Sequence, residues 1–215
     1  FRFADLPTEL ALLVFVFAAQ PTFTETDTYN ARNPYSPALL LCSVSRIVRR
    51  TVLPSILHTV LLSESRHVMA FVDALYMQKA YAEQQHHLCL DYASSVHRIW
   101  MGEFLGPPRV PNAPFISSFT PYGSEPELDV SLLAPVLLAA PSLALDFASL
   151  DVLLCCIKYT LDSDVDLKVD HERSPSPWST KNLTLSGCVS RRWRPFTETV
   201  HGYAFLSSIS HLTSL

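Results

Sequence analysis

Few residues in this chain have the type and spacing to do chemistry. Asp162-x-Asp-x-Asp166 is spaced like the opening of a calcium loop. However, Leu167 stands at the sixth position, where the loop's sharp turn needs glycine, and Arg173 stands at the twelfth, where a glutamate should close the coordination sphere. The stretch therefore reads as a solvated acidic run. His86 and His87 are adjacent, and on a strand neighbouring side chains point to opposite faces, so the pair is not expected to chelate together. The cysteines (Cys42, Cys89, Cys155, Cys156 and Cys188) include no C-x-x-C pair. Odd in number and mostly inside apolar runs, they read as reduced, buried thiols of an intracellular protein. Arg191-Arg-Trp-Arg194 combines bidentate donors with an aromatic ring, a pattern that grips phosphate or acidic peptide; a solvated loop between a strand and a helix is the preferred reading. Ser174-Pro and Ser176-Pro are candidate proline-directed phosphorylation sites or plain linker composition.

Other chemistries fail at the level of motif. There is no H-E-x-x-H or G-x-S-x-G, and no serine, histidine and aspartate spacing that pairs a nucleophile with a base. The five glycines (102, 106, 123, 187 and 202) never cluster, as a phosphate-cradling loop requires. The expectation is a non-enzymatic chain with no catalytic residue, no metal and no cofactor. A net charge of -4 and a pI near 6.0 disfavour nucleic acid as the main partner. Hydrophobic residues make up 48% and charged ones 17%, which suits one sizeable core or two small ones.

The apolar run from Leu10 to Ala19 is too short for a bilayer, which needs about 20 residues, so no membrane association is expected. A secretory signal is the alternative, with the sequon Asn182-Leu-Thr184 in its favour; Asp5 and Glu9 before the run argue against it. The preferred reading is a buried helix with Pro7 in its first turn and Glu9 near the positive end of its dipole.

The elements that must position any surface follow from periodicity. A helix is expected over 8–19, a polar loop over 20–36, and a second helical region over 37–53 ended by Pro54. Arg46, Arg49 and Arg50 fall toward the C-terminal part of that second region, where the dipole favours them. Beyond it, short strands alternate with helices. Strands are expected at 58–62, 88–92, 143–147 and 183–185, and helices at 66–84, 132–140, after 147 to about 159, and 203–215. Residues 106–126, with six prolines and two glycines, read as a loop or insertion, and 162–170 with 174–177 as a linker. Three L-x-L pairs recur, at Leu88/Leu90, Leu143/Leu145 and Leu183/Leu185, spaced 55 and 40 residues apart. Leucine-rich repeats run about 20 to 29 residues, and insertions on one face would account for the excess. His211-Leu-Thr-Ser-Leu215 carries the L-x-x-L that opens such a repeat, and with Phe1 and Leu215 read as cut ends, further repeats are expected.

Residues 1–60 resemble an F-box, specifically the F-box-like proteins of mushroom-forming fungi. Leu6-Pro7-x-Glu9-Leu10 matches the family's opening, Leu13, Val14 and Phe15 its first apolar helix, and Leu39, Leu41, Val44, Arg46, Arg49 and Arg50 its second part. Ser45 and Val48 stand where cysteine and tryptophan are usual, and the connection from Gln20 to Ser36 is longer than typical. The resemblance implies an α+β to α/β chain: a three-helix F-box-like module over 1–57, then irregular leucine-rich-repeat-like units over 58–215. It implies a substrate-recognition adaptor of a cullin ubiquitin ligase, cytoplasmic or nuclear, which binds a Skp-family adaptor protein and an unidentified protein substrate. Leu6, Pro7, Leu10, Leu13, Val14, Phe15, Leu39, Leu41, Val44 and Arg46 are the implied partner-binding residues. Periodicity alone favours packing of the same leucines against the chain's own core, and a repeat-type scaffold unrelated to ubiquitin ligases is the alternative function.

Overall fold

The computed structural model describes residues 6–23, 33–104, 108–109, 128–165, 177–188 and 193–215. The Ser-Pro pairs, Arg191, Arg192, most of the acidic run and most of 106–126 lie outside them. The chain mixes helix with parallel sheet and divides into two compact units, Phe1–Val60 and Leu61–Leu215.

The first unit holds α1 (Thr8–Ala18), α2 (Ser36–Cys42) and α3 (Arg46–His58). Pro7 precedes α1 with its φ pre-set at -51°, and Glu9 sits in the first turn. The helical region expected over 37–53 is two helices. Ser43 Oγ donates to the Leu40 carbonyl, and Ser45 is extended, its hydroxyl accepting from the Val48 N–H at 3.2 Å as an N-cap. A serine pair thus stops one helix and starts the next. The basic residues consequently open α3 at the unfavourable end of its dipole, contrary to expectation. Arg49 compensates, since its Nε donates to the Cys42 carbonyl at 2.9 Å and closes the end of α2. Pro54 does not end α3; it lies on the exposed side, where water can take the carbonyl it leaves open. The core of this unit is Ala19, Ala38, Val48 and Val52, with Phe15, Leu41, Cys42 and Ile56 packed around them.

The main sheet has the order β1-β2-β5-β6-β7. Its strands are β1 (Thr59–Leu62, spanning the unit boundary), β2 (Arg98–Met101), β5 (Ser142–Asp146), β6 (Asn182–Ser186) and β7 (His211–Ser214). The pairings β2–β5, β5–β6 and β6–β7 are parallel. A small parallel pair, β3 (Pro108–Arg109) with β4 (Leu128–Asp129), lies outside it. The connecting helices are α4 (Ser65–Glu83), α5 (Tyr92–Ser95), α6 (Val130–Ala139), α7 (Leu150–Val165), α8 (Trp193–Glu198) and α9 (Val200–Ser208). A 3-10 turn, Phe147–Ser149, leads into α7.

Each strand of the main sheet lies beside the strand that precedes it along the sheet, so the order never reverses. A doubly wound sheet binds nucleotides at the point where its order reverses, and this sheet has no such point. Ile99, Leu143 and Leu183 stand in register, as do Met101, Leu145 and Leu185, and all six are buried. The alternate positions, Trp100, Ala144 and Thr184, are half-buried, so one face of the sheet is closed and the other, among the described residues, is only partly covered. Parallel sheets are usually covered on both faces, and one-sided coverage fits a stack of strand–helix units. Helices α4, α6, α7 and α9 contact one another in that succession.

Buried hydroxyls tie successive units together. Ser149 Oγ donates to the Gly102 carbonyl at 2.6 Å and accepts from the Phe104 N–H at 3.0 Å. Thr180 Oγ1 donates to the Ala140 carbonyl at 2.9 Å. Aspartates cap the turns and helices that follow strands or lead into them: Asp91 caps α5, Asp129 caps α6, and Asp146 caps the 3-10 turn. Gly102 donates to the Leu62 carbonyl at 2.9 Å so closely that a Cβ there would overlap the Ser63 carbonyl oxygen.

Several expectations are corrected here. Residues 88–92 form no strand. The Cys89 N–H bonds the His86 carbonyl, the Leu90 N–H bonds Gln78 Oε1, and Asp91 caps α5, so this backbone is satisfied locally. The strand that pairs with β5 is β2, where Ile99 and Met101 stand in register with Leu143 and Leu145. His86 and His87 lie in the turn after α4, their rings 4.3 Å apart and His86 stacked on Tyr81. The helix expected over 203–215 ends at Ser208, because the Ser210 and His211 N–H groups bond the Lys181 carbonyl and draw the next residues into β7. Asp162 belongs to α7 rather than to a linker.

Candidate docking surface

Helix α1 is apolar nearly all round, and the structure separates its two faces. Phe15 and Ala19, one turn apart, face the small core of the first unit. Leu10, Leu13, Val14 and Phe17 recur at i, i+3, i+4 and i+7, so they form one stripe. The first three are each 49% exposed and Phe17 is 65% exposed. No residue of α1 itself is fully buried, which corrects the expectation of a buried helix.

Leu39 and Leu40 on α2, Val44 in the serine break, Ile47 on α3, and Phe23 are also exposed. The unit thus turns many of its large side chains outward, while the cluster at its centre is two alanines and two valines and Leu57 is buried as well. Exposed apolar side chains this numerous on so small a unit make it a candidate docking surface.

The sequence-derived residues divide on this basis. Leu10, Leu13, Val14, Leu39 and Val44 are exposed apolar groups; Pro7 and Arg46 are exposed at the starts of α1 and α3. Leu6 is half-buried. Phe15 and Leu41 are half-buried and pack against the unit's core. Sequence reasoning missed Phe17, Leu40 and Ile47. The signal for the latter two was the Ser43-Val44-Ser45 break, which resets the helical phase between α2 and α3.

Electrostatically the unit offers a surface rather than a reactive centre. Burial pushes the Cys42 thiol up, with Arg49 partly offsetting it, so this cysteine stays protonated and weakly nucleophilic. Among the described residues of the chain, no group of three His, Cys, Asp or Glu side chains is placed to hold a metal ion. No described helix is long and apolar enough to cross a membrane. Arg194, from the basic-aromatic cluster, is engaged with Glu198 at 2.9 Å one turn along α8. Cys89 and Cys188 are exposed, contrary to the expectation of buried thiols, whereas Cys156 is fully buried.

Compared with family models, with curated proteins and with solved structures, the chain matches none.

Proposed function

We propose that the first unit is an F-box-like docking module and that the chain is a substrate adaptor of a cullin ubiquitin ligase. In this reading the module binds a Skp-family adaptor protein, and leucine-rich-repeat-like strand–helix units in the second unit hold a client. The chain forms and breaks no bonds; it brings two proteins together.

The observation that carries the reading is the outward stripe Leu10, Leu13, Val14 and Phe17 on α1, together with the exposed Leu39, Leu40 and Ile47. Anchors at i, i+3, i+4 and i+7 are what an amphipathic helix lays into a partner's groove. Covering one such side chain completely stabilises a complex by about 1.5–3 kcal/mol relative to leaving it in water. The strand order, the in-register apolar ladder and the one-sided sheet support the repeat-like reading of the second unit.

The test is co-purification of the chain with a Skp-family adaptor, beside the double variant Leu10→Asp with Leu39→Asp. A one-to-one complex with the parent, and none with a variant of unchanged circular dichroism, supports the docking role. A folded parent that recovers no adaptor removes it and leaves the repeat-type scaffold.

A further inference from the structure

The open face of the main sheet is charge-polarised along its strands. Across the strand starts, Arg98, Ser142, Asn182 and His211 stand in register on that face, and Lys181 lies one position earlier on the rim. Apart from the half-buried Ser142 these are exposed, and the first residues of these four strands include no acid. The acids lie at the other end: Asp146 closes β5, and Glu103 follows β2. Among the described residues neither Arg98 nor Lys181 has an ion-pair partner. The row is held rigidly, since Ser142 bonds the His97 carbonyl, Lys181 and Asn182 bond the Pro141 carbonyl, and Asn182 Nδ2 donates to Ser142 Oγ at 3.0 Å.

From this we infer that the strand-start row of the open face binds an extended acidic segment of a client protein, with one carboxylate meeting Arg98 at the β2 end and another meeting Lys181 and His211 at the β6–β7 end. The inference rests on the client-holding reading of the second unit. Neighbouring strands lie about 4.8 Å apart, so Arg98 and His211, three strands apart, are separated by about 14 Å. An extended chain advances about 3.4 Å per residue, which places acids at i and i+4 over those two ends. Ser142 and Asn182 between them leave a low polar floor where a backbone can pass. The acids at the strand ends repel the same segment and confine it to the starting row. Nucleic acid is a poorer fit, because the chain as a whole carries a net charge of -4.

The probe is a fluorescein-labelled decapeptide of serine and threonine with glutamates at i and i+4, titrated into the full chain by anisotropy. Its controls are the same peptide with lysines in those places and a single-stranded oligonucleotide of similar length. The expected result is saturable binding of the acidic peptide alone, weakened by salt. The double reversal Arg98→Glu with Lys181→Glu should weaken it about tenfold or more while circular dichroism and adaptor recovery stay unchanged. Equal binding of acidic and basic peptides, preferential binding of the oligonucleotide, or indifference to the double reversal would each overturn the inference. Adaptor recovery on the same preparation separates the two readings: loss of peptide binding alone sinks the acidic-client inference, and loss of adaptor binding alone sinks the docking module.

Discussion

The two units treat their large apolar side chains in opposite ways. In Leu61–Leu215, Ile99, Met101, Leu143, Leu145, Leu183 and Leu185 vanish into a ladder between sheet and helices. In Phe1–Val60 the innermost positions go to Ala19, Ala38, Val48 and Val52, while Leu10, Leu13, Val14, Phe17, Leu39, Leu40 and Ile47 face water. The second unit draws its stability from its own interior. The first has the composition of an interior but leaves much of it outside, which is costly for a free surface and favourable for one that is covered on binding. The ladder itself fades at one end, since Leu212 on β7 is 54% exposed where its register partner Leu183 is 1% exposed.

Substitutions can break or sharpen this contrast. The largest effect is expected at the ladder. Leu145→Ala, at a position with no exposure, should cost about 3 kcal/mol in urea unfolding, whereas Leu13→Ala on the exposed stripe should cost under about 0.5 kcal/mol. Equal losses at the two positions would erase the distinction between interior and docking surface. Next is the buried hydroxyl between strand–helix units. Ser149→Ala strands the Phe104 N–H without its acceptor and should cost about 2 kcal/mol by the same measurement.

A pH effect follows from the second unit's interior. Burial, with the adjacent Cys155 adding to it, pushes the Cys156 thiol well up. Above the ordinary thiol range the unfolded chain releases this proton and the folded chain keeps it, so the folded state binds more protons and stability falls as pH rises. Between pH 9 and 10 stability should fall by about 1.2 kcal/mol more in the parent than in Cys156→Ala. A parallel decline in both would place that thiol outside the linkage. The smallest effect belongs to the first unit. Ser45→Ala removes the N-cap of α3 and should lower stability by about 1 kcal/mol, measured as a shift of the denaturation midpoint.

How much was legible in the sequence varies with the kind of signal. Leu143/Leu145 and Leu183/Leu185 could be read as strands because alternation of apolar residues is a direct statement about sheet faces. Leu88/Leu90 carried the same pattern but lost to local hydrogen bonds from Gln78, His86 and Asp91, which alternation does not encode. Ile99-Trp100-Met101 carries the same alternation without a leucine, so the L-x-L pattern passes over it. In α1, periodicity said nothing about facing, because a helix apolar all round has no preferred side; only packing distinguishes Phe15 from Phe17. The motif order at Leu6, Pro7 and Leu10 singles out the segment that carries the exposed stripe, and it also takes in Phe15 and Leu41, which pack against the core. The polar row of the open sheet face was out of reach of the sequence, since it exists only once β2, β5, β6 and β7 are in register.

The most direct test of the contrast is hydroxyl-radical footprinting of the chain with and without a Skp-family adaptor. The expected result is protection of Leu10, Leu13, Phe17, Leu39 and Leu40 on adding the adaptor, with Tyr203 and Leu212 on the second unit staying as reactive as before. Protection confined to the second unit, or no change on the α1 stripe, would contradict the assignment of that surface to a partner.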